Sequence, residues 1–276
     1  MALPPTTRVY PAHGPGSLCG KTTSPDLDST IARELATNYA LQPMSEQEFV
    51  KVLLADQPFA PKYFGHGVQL NKQGAPNFED SVRAVPRLSA HAALQPGVLV
   101  LDTRPAAKFR AGHLPGAINL QDGAKFETWL GSIVGPQEKF YLLADTQIQL
   151  DAVIRKTAKI GYEGNIKGAL LAPSVQPATS PTVEVAAVRQ HPEAFTIVDI
   201  RNRTEAHDKL FPSALLIPLP ELRERIREIP TDKPVLVHCA GGYRSAAGAS
   251  IIQAALPDQE VLDLGEAVTE FAPANS

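Results

Sequence analysis

Two stretches of this chain are versions of one another, and that repeat limits the fold more than any other feature. VLVLDTRPAAKFRAGHLPGAINL, residues 98 to 120, aligns with FTIVDIRNRTEAHDKLFPSALLIPL, residues 195 to 219. Further along, KFYLLADTQIQLDAVIRKTAKIGY aligns with PVLVHCAGGYRSAAGASIIQAAL. Each copy reads as a short apolar strand ending in Asp and Arg, a variable stretch, a second apolar strand, and a loop entering a helix. Strands that alternate with helices imply parallel pairing, since a parallel neighbour needs a crossover connection. The predicted fold class is therefore α/β: two tandem domains with parallel sheets flanked by helices, over residues 85–170 and 183–275. Between them LLAPSVQPATSP, residues 170 to 181, is polar and Pro-rich without periodicity and reads as an interdomain linker. In this alignment Asp145 falls opposite Cys239, so only the second copy carries a thiol.

Residues 1–75 form a third segment, ended by a weaker break at NKQGAPNFED, residues 71 to 80. STIARELATNYAL places Ile31, Leu35 and Tyr39 on one helical face after Ser29 as a cap. Ser45 and Glu48 have capping-box spacing ahead of Phe49, Val50, Leu53 and Leu54. A loop, two helices and a proline-bounded tail are too little alternation for an independent α/β core.

The 276 residues are 43% hydrophobic and 20% charged with a formal net charge of -3, and the lysines and arginines are not clustered. That balance argues against a nucleic-acid partner. No run of 18 apolar residues exists, and MALPPTTRVYPAHG lacks the basic flank and apolar stretch of a secretory signal, so a cytoplasmic protein without a membrane partner is expected. A reducing compartment would keep the two cysteines, Cys19 and Cys239, as thiols.

Cys239 sits between the apolar run VLVH and the helix-length SAAGASIIQAAL, with Ala247, Ile251, Ile252 and Ala255 at helical spacing. By residue type alone, a lone cysteine after an apolar strand is more often a small buried hydrophobe than a nucleophile. The residues that follow reverse this reading. Gly241 and Gly242 allow backbone conformations that turn amide N–H groups inward, and a helix N-terminus adds free donors and positive potential. With Arg244 nearby, such a cradle stabilises a thiolate and lowers its pKa. Strand-to-helix loops at the carboxyl edge of parallel sheets are also where α/β folds bind ligands. Cys239 is thus the expected nucleophile, and Ala240, Gly241, Gly242, Tyr243, Arg244 and Ser245 the expected substrate-binding loop. Cysteine phosphatases place five residues between Cys and Arg in such a loop; here there are four, a smaller cradle suited to a persulfide sulfur.

HCAGGYRS after a strand, with IVDIR about forty residues upstream, resembles the active-site signature of the rhodaneses, thiosulfate or persulfide sulfurtransferases. LDTR followed by GHLPGAINL in the first copy resembles the family's second signature. The resemblance covers about residues 85–170 and 183–275. It implies that Cys239 takes the outer sulfur of a donor as a persulfide and passes it to sulfite, cyanide or a thiol, with Arg244 orienting the anionic partner and no cofactor required. It also implies that the first copy is catalytically inactive, and that Asp102, Arg104, Asp199, Arg201 and His113 are scaffold residues. The second copy departs from the family in KLFPSALLIPL, where a Gly and His followed by a Gly and Ala are usual. Of the remaining histidines, His66, His91, His191 and His207 read as surface or loop residues, and His238 points away from the loop face.

RVYPAHGPGSLCGK, TNYALQ and YFGHGVQLNKQGAP resemble the C-terminal end of a metallo-β-lactamase-fold domain of the glyoxalase II and persulfide dioxygenase kind. The order of segments then resembles the end of a persulfide dioxygenase and rhodanese fusion. In a complete domain of that fold His13 would ligate or adjoin the iron or zinc, and Cys19 could carry sulfur. A catalytic metal site needs about three protein ligands, and His13 supplies one. Three functions follow: a sulfurtransferase acting on thiosulfate or a glutathione-type persulfide, a piece of a non-haem iron persulfide dioxygenase, or a non-catalytic docking or sulfur-relay module. A partial domain leaves apolar faces uncovered, so self-association or pairing with a separate metal-binding half is expected.

Overall fold

The computed structural model describes residues 3–12, 26–55, 59–174 and 177–271. His13 and Cys19 lie outside the described residues. The chain divides into two compact units between Phe59 and Ala60.

In the smaller unit, strands β1 (Arg8–Val9) and β2 (Ser29–Thr30) pair antiparallel, Arg8 opposite Thr30. Helix α1 (Ile31–Thr37) follows, capped by Thr30, whose hydroxyl accepts from the Arg33 amide. Ser29, the cap expected from sequence, is instead committed to the strand pair, and Tyr39 lies beyond the helix in a short 3-10 turn (Tyr39–Leu41). Helix α2 (Glu46–Leu54) has the expected capping box: Ser45 and Glu48 exchange side-chain and backbone hydrogen bonds. Its Val50, Val52, Leu53 and Leu54 are exposed.

The larger unit opens with α3 (Tyr63–Gln73) and α4 (Phe78–Ala84). Although its sequence groups with the first segment, α3 packs on the repeat that follows. Tyr63 occupies the space a side chain at Gly131 would need, its Cδ1 only 2.2 Å from a Cβ built there, and Leu70 does the same at Gly161. His66 is half-buried, not a free surface residue, with Nε2 3.0 Å from the Gly161 carbonyl oxygen.

The first copy contains β3 (Leu99–Asp102), α5 (Ala106–Ala111), β4 (Ile118–Asn119), α6 (Phe126–Ile133), β5 (Phe140–Ala144), α7 (Gln147–Ala158) and β6 (Ile166–Leu171). The second contains α8 (Val185–Gln190), β7 (Thr196–Asp199), β8 (Leu215–Leu216), α9 (Leu222–Arg225), β9 (Val235–His238), α10 (Tyr243–Ala255) and β10 (Val261–Asp263). Both sheets are wholly parallel, ordered β4-β3-β5-β6 and β8-β7-β9-β10. The repeat in sequence is therefore a repeat in topology, and the α/β reading holds.

Register corrects one detail. Asp102 pairs with Leu143 and Asp199 with His238, so the residue equivalent to Cys239 is Ala144, not Asp145. KFYLLAD laid without gaps on PVLVHCA gives the same pairing, Ala144 with Cys239, so the strands themselves fix the equivalence. Asp145 is the next residue, and its carboxylate pairs with Lys108.

At each first-strand end the same fork closes. Arg104 Nε donates to Asp102 at 2.9 and 3.1 Å while Nη2 donates to the Gly112 carbonyl at 2.8 Å. Arg201 Nε donates to Asp199 at 3.0 Å, and its Nη atoms reach the Glu205 and Asp208 carbonyls at 3.1 and 3.0 Å. All four side chains are buried. Each arginine thereby cross-links the strand end to the loop after it. His113 is stacked on Phe109 with ring centroids 4.0 Å apart and Nδ1 2.9 Å from the Phe109 carbonyl; burial holds its pKa below the ordinary histidine value.

The two modules share one apolar core, running from Leu101, Phe126 and Leu142 to Val198, Val237 and Ile252. Helix α10 is buried from Arg244 to Ile252, and its residues from Ser245 to Ser250 are all small. Gly248 lets Ile200 and Val237 approach from its own sheet, with 2.8 and 3.1 Å left for an added Cβ. On the other flank the Asn119 amide of β4 donates to Ser250 Oγ at 2.9 Å. The Pro-rich linker is strapped to the first module, with His113 and Ala178 forming a backbone bridge.

Removing one member of a buried, bidentate pair strands a charge and costs about 3 to 5 kcal/mol. Arg104→Ala is expected to lose that much in urea denaturation, whereas Arg83→Ala, which breaks an exposed pair with Asp80, should leave the midpoint unchanged within error.

Candidate active site

Strand β9 delivers Cys239 to the carboxyl edge of the second sheet, and α10 starts four residues later. The thiol is 1% exposed, and the Gly242 amide donates to Sγ at 3.2 Å. Gly242 has φ +88°, the left-handed region, and a Cβ there would fall 2.5 Å from the Glu266 amide nitrogen. Only glycine satisfies both the conformation and the close approach. The first-turn amides of α10 have no partner within the helix and face the loop with the positive end of its dipole.

Above Cys239 lies a cleft of about 520 Å³ walled by both modules. The second module contributes Cys239, Gly241, Tyr243, Arg244, Asn202 and Glu205. The first contributes Trp129, Lys125 and the stretch Asp122 to Ala124. Of the residues expected from sequence, Ala240, Gly242 and Ser245 do not line this cleft. The Ser245 hydroxyl is buried and donates to the Gly242 carbonyl at 3.0 Å, so it fastens the turn rather than facing a ligand. Tyr243 donates to the Gln121 carbonyl across the module boundary, and burial raises its phenol well above the ordinary value. Gly123 leaves room for that ring, with Cε2 3.0 Å from an added Cβ.

Arg244 is the charged centre of the cleft. Nη1 and Nη2 donate to the two Glu205 oxygens at 2.7 and 2.8 Å, and the guanidinium carbon lies 5.2 Å from the centroid of the Trp129 ring. Burial opposes its charge, but the Glu205 hydrogen bonds and charge outweigh it and raise the pKa. Burial likewise works against the Glu205 carboxylate; Arg244, with the Asn202 amide at 3.0 Å, brings its pKa below the usual carboxylate range. His238 is fully buried behind the loop, edge-on to Phe211 and 3.9 Å from Asp199, with its pKa lowered by burial.

The rhodanese-like domain family model matches residues 88–170 and 182–272, more than half of the chain. This chain belongs to the rhodanese-like domain family. Among solved structures, a metallo-beta-lactamase from Staphylococcus aureus subsp. aureus COL is similar at 27% identity over 62% of this chain and 47% of that one, with a TM-score of 0.46. A NAD-dependent persulfide reductase from A. fulgidus is similar at 28% identity over 35% and 19% of the respective chains, TM-score 0.26. A thiosulfate sulfurtransferase from Pseudomonas aeruginosa is similar at 15% identity over 84% and 45%, TM-score 0.29. The rhodanese-like chain thus spans less than half the length of each of these three. No curated protein matches it.

Glu205, Trp129, Lys125 and Asn202 were not singled out by sequence. Glu205 is recognisable afterwards from its place in the Asp199–Arg201 loop, four residues beyond the fork. Trp129 and Lys125 belong to the other module, and only the tertiary contact brings them to Cys239. No three His, Cys, Asp or Glu side chains converge as a metal-binding set among the described residues. No described helix is long and apolar enough to cross a membrane.

The two glycines make opposite predictions. Gly242→Ala forces a strained φ and a backbone clash and is expected to cost about 1 to 3 kcal/mol, read as a lowered melting temperature. Gly241→Ala, whose added Cβ meets nothing within 4 Å, is expected to melt with the wild type.

Proposed function

We propose that this rhodanese-like protein is a sulfurtransferase in which Cys239 carries the transferred sulfur. The observation behind this reading is the placement of a thiol against the Gly242 amide and the start of α10, at the floor of a cleft that also holds a guanidinium. The Cys239 thiolate attacks the outer sulfur of thiosulfate or of a low-molecular-weight persulfide such as that of glutathione. A sulfur–sulfur bond forms to Cys239, and the donor's own sulfur–sulfur bond breaks, its electron pair leaving with sulfite or with the donor thiolate. A thiophilic acceptor, namely sulfite, cyanide or a thiol, then attacks the terminal sulfur and returns the electron pair to Cys239. The cycle is balanced without a cofactor. Loop and helix amides suit the persulfide anion. The first module has no cysteine at the corresponding strand end and contributes a wall rather than a second centre.

Intact mass after incubation with thiosulfate or with glutathione persulfide tests the reading. The protein should gain one sulfur atom, lose it on adding cyanide, and gain none as Cys239→Ser. No Cys239-dependent gain from either donor would leave a docking or relay module as the better description.

Residues 1–59, the part of the leading segment that forms its own unit, are further proposed to belong to a metallo-β-lactamase-fold domain of a persulfide dioxygenase fusion. Their sequence resemblance supports this, as does α2, whose exposed valines and leucines suit a covering surface. In that domain His13 would lie at the iron. Oxygen uptake with glutathione persulfide and stoichiometric bound iron are the expected signs, and absence of both would confine the protein to sulfur transfer.

A further inference from the structure

We propose that Glu205 selects the sulfur donor, directing Cys239 toward organic persulfides and away from thiosulfate. The inference rests on the sulfurtransferase reading and narrows its substrate class.

The guanidinium of Arg244 interacts with the Cys239 thiol and is at the same time engaged by a carboxylate. Both Nη atoms donate to the Glu205 carboxylate at 2.7 and 2.8 Å, a parallel fork that matches carboxylate geometry. Trp129 covers one face of the same group at 5.2 Å. Glu205 is itself held at three points: its side chain accepts from Arg244 and from the Asn202 amide at 3.0 Å, and its backbone carbonyl accepts from buried Arg201 at 3.1 Å. This carboxylate is therefore held in place in the cleft wall, although 37% of its side chain is still exposed.

The two donor classes place charge differently. Thiosulfate carries its oxygens on the sulfur directly bonded to the one under attack, and it departs as sulfite, so its negative charge must be accommodated beside Arg244. There the fixed carboxylate both engages the cation and repels the anion, and like charges brought side by side are costly. An organic persulfide departs as a thiolate with one charge, and its acidic groups lie several bonds from the reacting sulfur. The cleft, about 520 Å³ with Trp129 and Tyr243 as apolar surfaces and Lys125 in its first-module wall, has room for such a chain.

The test is the rate of sulfur loading on Cys239 from glutathione persulfide and from thiosulfate, followed by intact mass for wild type, Glu205→Gln and Glu205→Ala. The wild type should load faster from the persulfide, and both variants should shift the ratio of rates toward thiosulfate by at least about tenfold, the scale of one relieved like-charge contact. An unchanged ratio in loading-competent variants overturns the selection role while leaving the sulfurtransferase reading intact. Loss of loading from both donors in both variants also overturns it, since Glu205 would then support the loop instead of choosing the donor. Failure of the wild type to load from either donor removes the underlying reading, and the inference with it.

Discussion

The burial of α10 is the packing event on which the rest of the molecule depends. A helix apolar or small on every face belongs between two layers, and this one lies between its own sheet and β4 of the preceding module. Ala246, Ala247, Gly248, Ala249 and Ser250 are small enough to let both approach. Ser250 is the polar exception, and it is satisfied: its hydroxyl donates to the Ala246 carbonyl at 2.8 Å and accepts from Asn119. The helix whose N-terminus faces Cys239 is thus the same element that joins the two modules. Anything that moved β4 off α10 would alter the loop and the cleft together.

The Asp–Arg forks show how one local device serves two different ends. In both copies the aspartate caps the strand edge and orients an arginine that ties down the next loop. A buried pair of this kind gains little net energy over an apolar substitute, but losing half of it is expensive. Its contribution is therefore geometric. In the first copy Arg104 reaches the Gly112 carbonyl and steadies the turn ahead of His113. In the second, Arg201 reaches Glu205 and Asp208 and so determines where the Glu205 carboxylate stands.

Much of this was legible in the sequence because it is local or periodic. The strands, their parallel pairing, the Cys239 turn and the Ser45–Glu48 capping box all follow from patterns spanning a few residues. What was hidden depends on distance. Ser29 matches a helix cap by type, yet pairing with Val9 draws it into a strand and leaves Thr30 to cap. Tyr63 and Leu70 look like part of a leading segment until glycines at 131 and 161 are seen to make room for them. The equivalence of Ala144 with Cys239 is present in the aligned strands KFYLLA and PVLVHC, and the sheet register corrects the reading that set Asp145 there. Ser245 resembles a ligand-binding serine at a helix start, but its hydroxyl turns back onto the Gly242 carbonyl.

A module without its own thiol would be expected to drift from any part in the chemistry, yet the first copy supplies half of the cleft wall. The reason lies in the position of Cys239 at a sheet edge that the second module alone leaves open on one side. Trp129 stands on α6, which is almost wholly buried, and Asp122 next to Gly123 pairs with Lys156 of α7. These residues are held by the first module's own core, so their placement over Arg244 requires no ordering when a ligand arrives. Preorganised walls lower the entropic cost of binding. The duplicated fold can therefore be understood as a division of labour, in which one copy presents the thiol and the other encloses it.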